Sequence, residues 1–179
     1  MNRLNWYKKA QEIYRGDPNL INIQDFDPEY GVKELGKELG SSASEGPGIY
    51  FTSNEENARM YGKNITRMKI NNANILTPSN KPFSKKQIKK ILNYVDKERM
   101  RIAVSNWNEN FYEGKEMLIN SITDEKNAIN QIMNIWADIY YHQNQLEFMN
   151  LMKNNGIDGI MVPKENKTHY VIYNKDILK

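Results

Sequence analysis

The sequence predicts an α+β domain. Short β-like runs lie near residues 13–16 and 49–52 and again at the C-terminal end, and segments of helical periodicity fill the space between them. No internal repeat or linker divides the 179 residues, so residues 1–179 are expected to form one domain with a substantial core.

Arg3 to Gln11 reads as a helix, with Leu4, Tyr7 and Ala10 recurring near one face. Ile13-Tyr14-Arg15-Gly16 reads as a short strand stopped by the turn signal Asp17-Pro18. Glu29 to Leu39 has helical spacing through Val32, Leu35 and Leu39, and the small residues from Gly40 to Gly46 follow as a loop of the kind that carries binding function. Gly48 to Thr52 then reads as a glycine-bounded strand. Ser53 and Glu56 have the spacing of a capping box, so a helix is expected directly after Phe51. Ile65 to Ile70 alternates as a half-buried strand, and Ala73 to Thr77 is a further strand candidate ended by Pro78.

Ser84 is placed to cap a helix running to about Val95. No pattern assigns Arg99 to Thr123, where Trp107 and Phe111 are expected in the core. Thr123 is expected to open the longest helix, whose apolar stripe is Ile129, Ile132, Met133, Trp136 and Tyr140. His142 falls on the surface of that helix. Leu146 to Lys153 continues as a helix ending at Gly156, a natural C-cap. Two strands close the chain, Ile157 to Val162 and His169 to Tyr173. Strand periodicity puts Tyr170 and Tyr173 on opposite faces, with one of them in the core.

Composition narrows the chemistry. Cysteine is absent, which excludes disulfides, thiolate catalysis and zinc–thiolate sites and fits a reducing cytoplasm. Only His142 and His169 are available as imidazoles, so no histidine-rich metal centre is expected. The apolar runs are too short to cross a bilayer, and no charged segment followed by an apolar one marks a secretion signal at the start. The net charge is a modest +3. Lys85, Lys86, Lys89 and Lys90 alternate with Ile88, Ile91 and Leu92 at helical spacing, which reads as a solvated helix face in preference to a nucleic-acid patch. The abundance of Asn, Lys and Ile suggests an AT-rich bacterial or phage genome.

The segment from Gly46 to Gly62 is the most informative. Its strand carries Tyr50, and its helix returns Tyr61 to the same neighbourhood, so that the two rings would flank a slot for a planar ligand. Gly48, lacking a side chain, would let the ligand approach the backbone. A flat heteroaromatic such as nicotinamide suits that geometry. Each of these residues also admits a structural role: Tyr50 and Phe51 as core filling, Arg15 as a surface arginine before a turn, His169 as a satisfied histidine at a strand start. Gly46, Gly62 and Gly156 are expected to serve backbone geometry.

Three separated pieces, Tyr14-Arg15-Gly16, Gly48-Ile49-Tyr50-Phe51-Thr52 with Tyr61, and His169-Tyr170-Val171-Ile172-Tyr173, resemble in order and spacing the ADP-ribosyltransferase superfamily. The likeness is to its diphtheria-toxin and poly(ADP-ribose)-polymerase-like branch, and Gly156-Ile157-Asp158-Gly159-Ile160 also resembles a strand of bacterial and phage transferase-like modules. The resemblance covers residues 12–77 and 155–179. It implies a split β-sheet with inserted helices, NAD as substrate, no metal, and transfer of one ADP-ribose with release of nicotinamide. The acceptor would be a protein side chain or a nucleic acid, and the chain a host-directed, toxin-like enzyme acting in the cytoplasm of a bacterial cell.

The resemblance also assigns roles. Gly16 would offer its backbone to the carboxamide, Tyr50 and Tyr61 would sandwich the ring, and Arg15 would hold the phosphates or ribose. His169 stands where the family usually has a glutamate that stabilises the developing oxocarbenium, and Glu165 in the preceding loop is the nearest replacement carboxylate. That departure keeps open a non-catalytic alternative, a binding or virion-associated structural module. An NAD-dependent RNA 2′-phosphotransferase shares the fold but needs several basic cleft residues, of which only Arg15 matches.

Overall fold

The computed structural model describes residues 11–20, 22–26, 46–71 and 73–179. The expected helices at Arg3 to Gln11 and Glu29 to Leu39 and the loop from Gly40 lie outside the described residues, except Gln11, which begins a strand, and Gly46.

Among the described residues the protein is α+β, with six strands in one mixed sheet of order β3-β1-β2-β6-β5-β4. The strands are β1 (Gln11–Asp17), β2 (Ile49–Thr52), β3 (Asn64–Ile70), β4 (Ile75–Leu76), β5 (Gly159–Pro163) and β6 (Thr168–Ile172). All neighbours run antiparallel except β4 and β5, whose parallel pairing needs a long crossover. That crossover holds the helical half of the protein. The sheet is uneven: β1 pairs with β3 over seven rungs and β2 with β6 over four, yet β1 and β2 meet at the single rung Tyr14↔Thr52. The sheet is therefore two ladders joined at one point.

The helices among the described residues are α1 (Glu55–Arg59), α2 (Lys85–Leu92), α3 (Lys97–Ser105), α4 (Phe111–Thr123), α5 (Ala128–Tyr140) and α6 (Gln145–Asn154). Several are set by local chemistry. Ser84 and Gln87 form the capping box that starts α2. Gly156, at φ +70°, ends α6 in a Schellman motif, with Ile157 N–H on Met152 C=O (3.0 Å) and Gly156 N–H on Lys153 C=O (2.9 Å). The lysine-rich face of α2 is solvated as expected, and Lys85 and Lys89 pair with Glu116 on α4.

Four expectations are corrected. The cap of α1 is Asn54, whose side chain accepts from Glu56 N–H (2.7 Å) and Asn57 N–H (3.4 Å). Ser53 is unavailable because it still belongs to the sheet, exchanging bonds with Thr168 through its N–H (3.0 Å) and its hydroxyl (3.1 Å). Thr123 ends α4 and does not open α5; Asn127 caps α5 instead, its side chain accepting from Asn130 N–H (2.9 Å). Phe111 is 38% exposed at the start of α4, while Trp107 packs partly against the core. Tyr170 and Tyr173 are both buried, because helix α6 covers the face that Tyr173 takes, with Phe148 5.7 Å from its ring.

The core runs from the sheet into the helices. Ile132, Ile135, Trp136, Ile139 and Tyr140 form the buried stripe of α5. Trp136 and Tyr140 both pack against Phe148 of α6, at 5.2 and 5.6 Å. Gln131, buried within this stripe, is satisfied by the backbone of Phe83, from whose N–H it accepts (2.6 Å) and to whose C=O it donates (3.0 Å). That bond pair ties α5 to the entry of α2.

Candidate functional site

Arg15, Tyr50 and His169 lie on β1, β2 and β6, which are neighbours in the sheet, and Tyr61 follows α1. Thr52 is the junction, in register with Tyr14 on one side and His169 on the other. Directly opposed residues share a face, as do alternate residues along a strand. Tyr14, Tyr50, Thr52, His169 and Val171 therefore line one face. Arg15 leaves its strand on the other.

All three guanidinium nitrogens of Arg15 donate a hydrogen bond. Its Nε and Nη2 donate to the two carboxylate oxygens of Asp17 (2.9 and 2.7 Å), and Nη1 donates to the Tyr50 carbonyl (3.3 Å). Its guanidinium also lies over the Phe26 ring, 5.2 Å from the centroid. The Asp17 side chain is 5% exposed and that of Arg15 19%. The contact to Tyr50 occurs where the β1–β2 ladder has given out, so the arginine supplies a donor that the missing rung would have supplied. Asp17 is two residues along the strand from Arg15 and shares its face. That spacing was visible in the sequence as the single signal for this partner.

Gly16 is forced by close approach. A Cβ there would lie 1.9 Å from the Ala58 carbonyl oxygen and 3.0 Å from that of Gly62. Helix α1 and the turn after it rest directly on β1, which brings Tyr61 to this end of the sheet. Gly48, at φ +148°, has a similar cause: a Cβ would meet Val171 Cγ1 at 2.5 Å. The side chain it makes room for belongs to β6 of the same chain.

The two tyrosines are tethered differently. Tyr50 is half-buried and donates its hydroxyl to the Gly46 carbonyl, and a Cβ on Gly46 (φ +91°) would touch the Met133 side chain of α5 at 2.8 Å. Tyr61 is 55% exposed. Lys167 donates to the Tyr61 hydroxyl (3.0 Å) and lies 5.3 Å from its ring centroid. Lys167 is 106 residues from Tyr61 in the chain, and no sequence signal pairs them.

His169 is half-buried in mid-sheet, flanked by Thr52 and Val162. Glu165 is exposed in the β5–β6 turn, which is closed by Lys164 N–H on Lys167 C=O (2.7 Å). The rung Pro163↔Thr168 separates that turn from His169. Two buried hydroxyls on this face have no hydrogen-bond partner among the described residues, those of Thr52 and Tyr173. Burial pushes the Tyr173 hydroxyl pKa well up, and neighbouring Tyr50 adds to the effect. No group of acidic residues and histidines suited to a metal ion occurs among the described residues. No helix among them is long and apolar enough to cross a membrane.

No family model matches the chain, and no curated protein matches it. Among solved structures, one described as the crystal structure of an anti-CRISPR protein is similar at 13% identity over 94% of this chain and 93% of that one, with a TM-score of 0.36. A likeness of that degree carries no inference about fold or activity.

Proposed function

We propose that the chain is an ADP-ribosyltransferase-like domain that binds NAD and transfers one ADP-ribose, with release of nicotinamide, to a protein or nucleic-acid acceptor. The observation that carries this reading is the adjacency of β1, β2 and β6, with Thr52 in register between Tyr14 and His169. The strands that carry Arg15, Tyr50 and His169 come from distant parts of the chain and have no local reason to be neighbours, and their adjacency supports this reading.

In the proposed reaction the bond between ribose C1′ and the nicotinamide nitrogen breaks, and its electron pair leaves with nicotinamide. An acceptor nucleophile forms the new bond to C1′ and gives up its proton. Positive charge builds on the sugar during this exchange, as in glycoside cleavage. Tyr50 and Tyr61 would hold the leaving ring, and His169 would face the ribose, where a neutral imidazole accepts the acceptor's proton but adds no negative charge. Glu165 would supply charge if the β5–β6 turn closed over the bound ribose.

One observation favours a second reading, a non-catalytic binding or structural module with the same fold. Arg15 is neutralised by Asp17 at the position expected to meet the phosphates. Calorimetry with NAD and an assay for free nicotinamide separate the two. Binding with nicotinamide release supports the transferase. Binding without release supports the module, and no binding at high micromolar NAD overturns the NAD reading itself.

A further inference from the structure

Thr52 is 3% exposed, and its hydroxyl has no partner among the described residues. Valine would fill the same volume, suits a strand equally well, and brings no group to satisfy. A buried unpartnered hydroxyl lowers the stability of the free protein, and such groups persist where they have another use. Thr52 holds the one rung that joins the two ladders, beside His169 and two residues from Tyr50. With a single rung, β1 and β2 are held by fewer ladder bonds than β1 and β3 or β2 and β6. Opening there would uncover the hydroxyl.

We propose that Thr52 is a binding residue of the site, its hydroxyl bonding a ribose hydroxyl when the β1–β2 seam opens to admit the ligand. The proposal rests on the NAD reading. A hydroxyl both donates and accepts, which matches a sugar hydroxyl and sits beside the histidine assigned to the same sugar. Among the described residues it has neither partner.

The test is Thr52→Val with Thr52→Ser as the conservative control, in the full chain. Melting temperature is read without ligand, and NAD, ADP-ribose and nicotinamide affinities are read by calorimetry. Thr52→Val is expected to melt higher than wild type, because it removes an unsatisfied buried group without leaving a cavity. It is expected to bind NAD and ADP-ribose about tenfold more weakly, with nicotinamide unaffected, while Thr52→Ser retains affinity. A lower melting temperature for Thr52→Val would overturn the proposal, since the hydroxyl would then be satisfied. Equal NAD affinity in wild type and Thr52→Val would overturn it while leaving the NAD reading intact. Absence of NAD binding by wild type would overturn the NAD reading and this proposal with it.

Discussion

Replacing Gly16 with alanine tests the approach of α1 to β1, on which the position of Tyr61 depends. The new Cβ would sit 1.9 Å from the Ala58 carbonyl oxygen and 2.7 Å from its carbon. A carbon–oxygen contact settles at about 3.3 Å, so backbone must move by roughly 1.4 Å. Side-chain rotation offers no relief, because the atoms met are main chain. Nor does tilting the helix away from Gly16, since Gly62 is itself packed on Asp17, with a Cβ there 2.1 Å from the Asp17 carbonyl carbon. Overpacking of this kind costs about 1–3 kcal/mol when side chains absorb it, and the upper end applies where they do not. A loss of about 3 kcal/mol would lower the melting temperature by roughly 6–12 °C for a chain of this size. Gly156→Ala is the control, because nothing lies within 4 Å of its Cβ and only the positive φ is strained; its cost is about 1–2 kcal/mol. Urea denaturation of both variants gives the comparison. If Gly16→Ala cost less than Gly156→Ala, the tight seat of α1 on β1 would be refuted, and with it the structural reason given for Gly16.

Further expectations follow from single contacts. Asp17→Asn keeps the shape but removes the charge facing Arg15, and is expected to cost about 2 kcal/mol, between an exposed pair and a fully buried one; a double-mutant cycle with Arg15→Ala that proved additive would show the pair does not act as a unit. Asn54→Ala should cost about 1 kcal/mol and speed amide exchange in α1, whereas Ser53→Ala should leave that exchange unchanged. Tyr173→Phe removes a buried hydroxyl that has no partner among the described residues, so urea titration should find it as stable as wild type or more so. Hydrogen bonds from Lys85 and then Lys89 hold the Glu116 carboxyl at about 2, below its ordinary 4.5. Its folded pKa is depressed, so its contribution is present above pH 4.5 and is lost as pH falls toward 2; Glu116→Gln should lose less stability than wild type across that window.

Much of the architecture was carried by local signals that need no partner. Ser84 with Gln87, and Gly156 after α6, are capping chemistry written within a few residues, and both act as their spacing implies. The α5 stripe and the alternation of β3 are periodicities of one segment. Where a local signal misled, a distant strand had claimed the residue: Ser53 had cap spacing, but Thr168 held it in the sheet. Phe111 and Tyr173 misled for a different reason, because exposure depends on which element covers a face: α6 covers Tyr173, while Phe111 stays 38% exposed.

The sequence alone determined the α+β class, most of the described strands and several helix ends, since backbone preference and apolar period act over a few residues. It also marked Arg15, Tyr50, Tyr61 and His169 as residues to examine. Only the tertiary structure decided that β1 and β2 pair at one rung, that Asp17 occupies Arg15, that Lys167 reaches Tyr61, and that the Thr52 hydroxyl is buried without a partner among the described residues. Those facts depend on strand order and on what packs over each face. Contacts between residues far apart in the chain set both, and the closure of intervening loops leaves no periodic trace in the residues that meet.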